Sequence, residues 1–169
     1  PYPAEVYHAP FPSELHGISV EDSFRSLATI FKCDVAPDSV AAIIVEPVQG
    51  EGGFNVAPKE FIVRLRELCD RHGIILIADE IQSGAGRTGK MFAMEHYGVA
   101  ADLYTLAKSL GGGFPLAAVV GGRDDDDRPF ETRRAQVVFE EGPHFAAAFA
   151  DERQHDDVGG RATRHHAEQ

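Results

Sequence analysis

Three short runs restrict this chain more than anything else in it: VAAIIVE (40–46), IILIADE (74–80) and DLYTLAK (102–108). Each is almost continuously apolar and ends on a charged residue. A strand of that kind has no solvent face, so both its sides must be covered, as in a parallel sheet flanked by helices. Helical patterns fall around the runs. SVEDSFRSLATIF has a cap candidate in Ser19, acids in its first turn, and Phe24, Leu27, Ala28 and Phe31 at helical spacing. PKEFIVRLRELCDRHG opens on Pro58, places Phe61, Ile62, Leu65, Leu68 and Cys69 on one face, and stops at Gly73. MFAMEHYG reads as a short helix and FPLAAVVG as a fourth strand. This alternation predicts an α/β fold, a three-layer αβα arrangement with a mainly parallel sheet. Ligands of such sheets sit beyond the carboxyl ends of the strands. Glu46, Asp79 and Lys108 all lie at such ends.

The flanks read differently. Residues 1–17 are proline-rich and predict an extended segment or linker, leaving 18–121 as the folded unit. Residues 122–169 lack Leu, Ile and Met altogether and keep neither period for long. They are expected to be disordered or loosely attached, the product of a reading-frame change or a fusion. The chain opens without a Met, as expected of a piece of something longer.

Composition narrows the function. A net charge of −11 argues against a nucleic-acid partner. Two cysteines far apart make neither a disulfide framework nor a zinc site, and point to a reducing, cytoplasmic setting. No apolar run reaches membrane-spanning length, so no membrane partner is expected. The DDDD run (124–127) reads as a solvated acidic stretch, His165 and His166 as unstructured, and Cys69 as core; no metal site is expected.

Two glycine-rich stretches invite chemistry. GAGRTGK (84–90) fits G-x-G-x-x-G, with Asp102 as a nominal ribose acid, and nearly makes a Walker loop. Its context is wrong for both: DEIQS separates it from the strand, and Met91 stands where a Walker loop carries a hydroxyl. A plain glycine turn is the better reading. The other stretch, TLAKSLGGG, combines with ILIADEIQSG and IVEPVQGEGGF into an ordered set of strand ends. One bears Glu46 and leads to a loop with Glu51, the next bears Asp79 and Gln82, and the third bears Lys108. An amine near a buried aspartate is the minimum kit for a Schiff-base cofactor. The amine condenses with an aldehyde, and the acid keeps a pyridine nitrogen protonated.

At this level of detail IIVEPVQGEGG, ILIADEIQSGAGRTGKMFAMEHYGV and DLYTLAKSLGGGFPLAAVVG resemble the large domain of class III aminotransferases, pyridoxal-phosphate enzymes of fold type I. The resemblance runs from about Tyr2 to Gly121, and within the class the wording is nearest to members acting on 4-aminobutyrate. It implies that Lys108 is the catalytic lysine that also holds the cofactor, and that Asp79 salt-bridges the pyridine nitrogen. Ile81 would pack on a ring face and Gln82 would bond the ring hydroxyl. Glu51 would be a substrate-gating glutamate and Glu46 an acid that orients the glutamine. The implied reaction takes an amino group from 4-aminobutyrate or a similar ω-amino acid to 2-oxoglutarate. Its partners are a small-molecule amino donor and a 2-oxo acid, in a homodimer or dimer of dimers.

The phosphate-cradling turn, the small domain and its substrate-binding arginine have no counterpart in these residues, so this chain alone is expected to show little or no activity. Two rival readings stand beside the enzyme: a non-catalytic folded remnant, and a nucleotide-binding α/β domain using GAGRTG.

Overall fold

A computed structural model of the chain describes residues 5–121 and a strand at 135–140. The strands are β1 (Val6–Pro10), β2 (Val40–Val45), β3 (Val48–Gln49), β4 (Asn55–Val56), β5 (Ile75–Asp79), β6 (Leu103–Leu106), β7 (Ala118–Gly121) and β8 (Ala135–Glu140). The two α-helices are α1 (Val20–Cys33) and α2 (Lys59–His72). Six strands form one sheet in the order β1-β8-β2-β5-β6-β7; β3 and β4 form a separate ribbon. Neighbours in the large sheet run parallel except β6 and β7, which are antiparallel. The mainly parallel sheet expected from the apolar runs is therefore present.

The helices begin and end where local chemistry directs. Ser19 Oγ accepts from Asp22 N and Asp22 Oδ2 accepts from Ser19 N, each at 3.1 Å, a reciprocal box that satisfies two free donors of α1. α2 follows Pro58 and stops at Gly73, whose φ of 62° is left-handed and cheap only for glycine. The inward stripe of α1 is Ser23, Leu27 and Ile30, with Phe24 and Phe31 alongside. Ala28, expected on that face, is exposed. The stripe turns a little from the predicted one to take in Ser23, which is fully buried and satisfies its hydroxyl by donating to Ser19 O.

The two faces of the sheet separate by the period of two from Ala42 onward, and a register shift between Val40 and Ala42 brings Val40 to the same face as Ile43. Val40, Ile43 and Val45 of β2 and Leu76 and Ala78 of β5 join Leu27 of α1 and Phe61, Ile62 and Leu65 of α2 in the main core. Ala42, Ile44 and Ile77 form a smaller cluster on the opposite face. Both α-helices thus pack on one face, and among the described residues no α-helix covers the other, so of the three layers expected two are seen there. Phe61 is fully buried between Phe11 and Phe24, edge-on to both. Burying a side chain of that size contributes about 1.5–3 kcal/mol, and Phe61→Ala is the single change that would open the core most directly.

Two expectations about the flanks need correction. Residues 1–17 are not merely a linker: Val6–Pro10 forms an outer strand of the sheet, and Ala9 and Phe11 are in the core. The segment beyond 121, expected to hold no lasting strand, supplies β8. That strand lies between β1 and β2, with Val137 opposite both Tyr7 and Ile43. The hexapeptide AQVVFE is long enough for a ladder on both sides, and backbone pairing does not need the large aliphatics whose absence suggested disorder. The acidic run at 124–127 and His165 and His166 lie outside the described residues. No helix among the described residues is long and apolar enough to cross a membrane.

Candidate active site

The carboxyl ends of β2, β5 and β6 lie side by side in the sheet, and the candidate residues follow from them. β2 ends one residue before Glu46, β5 ends on Asp79, and β6 ends two residues before Lys108. Lys108 is a non-glycine residue in the left-handed region, at φ 44°, where it opens a single 3-10 turn (Lys108–Gly111). Such a backbone is costly for a residue with a Cβ and persists only where its surroundings hold it. Here Leu106 is buried just before it, and Gly112 closes the turn at φ 56°.

The amine is held by two side chains from other segments. Lys108 Nζ donates to Gln82 Oε1 at 2.5 Å and stands 3.5 Å from Glu51 Oε1. The Lys108–Glu51 pair is open to water, with the glutamate 80% exposed, so it contributes little to stability and parts easily. The Gln82 amide lies directly over Gly50, which gives it room. A Cβ added to Gly50 would lie 2.2 Å from Gln82 Cδ. Gly50 N in turn donates to Glu46 Oε2 at 3.0 Å. Glu46 and Gln82 thus meet through the Gly50 backbone; no direct hydrogen bond joins them in this structure. Burial pushes the Glu46 carboxyl up, opposed by the Gly50 amide. The Asp79 charge adds to the rise, Lys108 opposes it, and Glu51 adds to it. Glu46 is therefore within electrostatic reach of all three.

Asp79 is gripped on one oxygen. Its Oδ1 accepts from Ile81 N and from Thr105 Oγ1, both at 3.0 Å, while no described residue bonds Oδ2. Ile81 touches the site through that backbone amide, and its side chain is half-buried. Lys108, Gln82 and Glu51 are in contact, Asp79 and Glu46 lie within range, and Ile81 is tied to Asp79.

Three participants were not read from the sequence. Thr105 is the register partner of Asp79 across β5 and β6, so the two side chains share a face. Glu80, one residue on, has the parity of Leu76 and Ala78 and turns to the main core. It is 1% exposed, and its carboxylate accepts from Ala93 N at 2.6 Å and Met94 N at 2.9 Å. Burial pushes its carboxyl up, against those two N–H bonds. Tyr97 donates its hydroxyl to Pro47 O at 2.8 Å, fastening the loop after β2; burial pushes its phenol up to about 12. The period of two along ILIADE was the one available signal, for Glu80.

The nucleotide reading of GAGRTG does not survive the geometry. β5 ends five residues before Gly84, and only a 3-10 turn (Ala93–His96) follows Gly89. Asp102, the nominal ribose acid, instead accepts from Arg66 Nη1 at 2.8 Å and from Leu76 N at 2.7 Å, tying α2 to β5.

The family model described as aminotransferase class-III matches residues 1–129. The chain belongs to the class III aminotransferase family. Over 119 residues this aminotransferase chain is 66% identical to 5-aminovalerate aminotransferase DavT of Pseudomonas putida. Over the same length it is 62% identical to 4-aminobutyrate aminotransferase GabT of Escherichia coli (strain K12). Each match covers 70% of this chain and 28% of the relative, so the chain spans well under a third of their length. Among solved structures it resembles an amine transaminase from an uncultivated Pseudomonas species, in the PLP-bound form. That likeness has a TM-score of 0.57 at 43% identity over 62% of this chain and 23% of that one. A transaminase from the marine bacterium Virgibacillus gives 0.56 at 40% identity, over 60% of this chain and 23% of that one. β8 begins six residues beyond the end of the aminotransferase match.

Proposed function

We propose that Lys108, Asp79, Ile81 and Gln82 are the lysine-bearing side of a pyridoxal 5'-phosphate site. The whole protein, on this reading, transfers an amino group from 4-aminobutyrate, 5-aminovalerate or a similar ω-amino acid to 2-oxoglutarate. The observation that carries the reading is the Lys108 amine, held by Gln82 and Glu51 at the strand ends with Asp79 on the neighbouring strand. The residues present fit the ring end of that cofactor: a half-exposed primary amine for its aldehyde, and an Asp79 oxygen without a partner among the described residues for its ring nitrogen.

When bound, the cofactor supplies an aldehyde to take up the amino group and a protonated ring to draw electrons from the substrate carbon. Lys108 would hold the cofactor through its amine, and the same amine would be the base that moves a proton at the substrate carbon. Gln82 Oε1 orients that amine. Asp79 keeps a proton on the ring nitrogen by placing a negative charge beside it. The Ile81 side chain covers a ring face against water. Glu51, weakly paired and exposed, gives way to a substrate carboxylate. Thiols that pair with nothing, Cys33 and Cys69, accord with a cytoplasmic enzyme, and the family resemblance supports a homodimer or dimer of dimers.

The test is direct. The 169-residue chain is mixed with pyridoxal phosphate, reduced with borohydride and digested. A reduced adduct on the Lys108 peptide, absent from Lys108→Ala, is the expected result; a folded chain with no adduct there sinks the reading. A second reading, a folded remnant without catalysis, is favoured by β8. A strand beyond the family match lies inside the sheet, between β1 and β2, where it would support folding with no part in chemistry.

A further inference from the structure

Thr105 has no assigned part in the site, and it grips both halves of the Asp79–Glu80 pair. Its carbonyl accepts from Glu80 N at 3.0 Å, and its hydroxyl donates to Asp79 Oδ1 at 3.0 Å. The first bond continues the parallel ladder of β5 and β6 beyond the last residue of β5. The second is a side-chain bond across the same step, possible because Asp79 and Thr105 are register partners on one face. Ile81 N also donates to Oδ1, at 3.0 Å.

A carboxylate can turn about its terminal torsion with little resistance. Two donors on one oxygen, one from the neighbouring strand and one from the backbone two residues on, remove that freedom. They also sort the two oxygens: Oδ1 is taken up by the protein, and Oδ2 remains for a ligand. Hydrogen bonds to an ionised acceptor are the stronger kind, and a site group is effective only when the groups behind it hold its orientation.

We propose that Thr105 is a positioning residue, whose hydroxyl sets the Asp79 carboxylate so that Oδ2 is the oxygen offered to the cofactor's ring nitrogen. This rests on the pyridoxal-phosphate reading above. Thr105 acts through Asp79 and touches no reacting atom itself. Serine in its place keeps the donor. Valine keeps the branched shape that suits a strand and removes the donor, so the pair separates the hydroxyl from the packing.

The experiment compares the wild-type chain with Thr105→Val and Thr105→Ser by two measurements. The first needs no cofactor: exchange of the Ile81 amide, followed by nuclear magnetic resonance. Losing Thr105 Oγ1 frees the carboxylate that Ile81 N donates to, so Ile81 exchanges faster in Thr105→Val, while amides of α2 stay as in wild type. The second is the dissociation constant of pyridoxal phosphate from absorbance titration. It rises about tenfold in Thr105→Val, the scale of one hydrogen bond to a charged group, and Thr105→Ser stays near wild type. An unchanged Ile81 amide in Thr105→Val overturns the proposal. So does a faster Ile81 with unchanged cofactor affinity, since the orientation then has no consequence. A wild-type chain that forms no borohydride adduct on Lys108 sinks the cofactor reading, and with it the ligand half of this proposal; the Ile81 amide then decides the contact alone.

Discussion

Lys108 Nζ and Gln82 Oε1, from turns that follow adjacent parallel strands, meet at 2.5 Å. Lys108 opens a single 3-10 turn, Gln82 lies in a turn outside any helix or strand, and a glycine serves each of them. Gly112 closes the turn after Lys108, and Gly50 leaves the space that the Gln82 amide fills. The contact depends as much on missing side chains as on the two that touch.

Gly50 is therefore the place to disturb the amine without touching it. Gly50→Ala puts a methyl 2.2 Å from Gln82 Cδ, and a glutamine side chain is flexible enough to swing away. Because the glycine's backbone is not left-handed, alanine adds no strain of its own. The expected result is a dissociation constant for pyridoxal phosphate raised about tenfold, from loss of one charge-assisted bond, with a melting temperature near wild type. Equal affinity in the two proteins contradicts it.

Glu80 carries a pH signature. Burial raises its carboxyl above the ordinary value, so the folded chain holds that proton more tightly than the unfolded chain. Its contribution to stability is full below the unfolded glutamate value of about 4.3 and declines as pH rises through the raised folded one. Glu80→Ala leaves Ala93 N and Met94 N without acceptors and costs about 1–3 kcal/mol, and the gap from wild type narrows as pH rises. Urea unfolding at several pH values measures it. Glu46 shifts in the same sense and is untouched, so some slope remains in the variant. A gap that widens with pH means the two N–H bonds outweigh burial.

β8 can be tested through its backbone. Val138 is opposite His8 on one side and Ile44 on the other, so its N–H serves a ladder whichever way it points. Val138→Pro removes that donor inside a strand paired on both sides and is expected to cost at least about 2 kcal/mol. An unchanged thermal midpoint by circular dichroism would place residues 135–140 outside the sheet.

The cysteines report on the core. Cys33 is exposed on α1, whereas Cys69 is fully buried on α2, where burial pushes its thiol up to about 12. A thiol reagent at neutral pH is expected to modify Cys33 at once and Cys69 only on unfolding. Rapid reaction of both in the native chain is incompatible with the α2 packing described.

Much of this was legible locally. Ser19, Pro58 and Gly73 mark helix ends through bonds reaching no further than a few residues. The runs that carry Glu46, Asp79 and Lys108 announce parallel strands, since apolar residues on both sides suit a sheet covered on both faces; β2 and β5 are mostly buried and β6 mostly half-buried. Those strand ends placed the candidate residues at the ligand edge before any contact was known.

Strand order and register were decided only in three dimensions. Nothing near Val6 or Ala135 says that β8 lies between β1 and β2, since parallel pairing joins residues far apart in sequence. Thr105 is an ordinary strand residue until register sets it beside Asp79, and Glu80 is an ordinary acid until alternation turns it inward to the amides of Ala93 and Met94. Local chemistry determined which residues end each strand; the ladder between strands determined which of them touch.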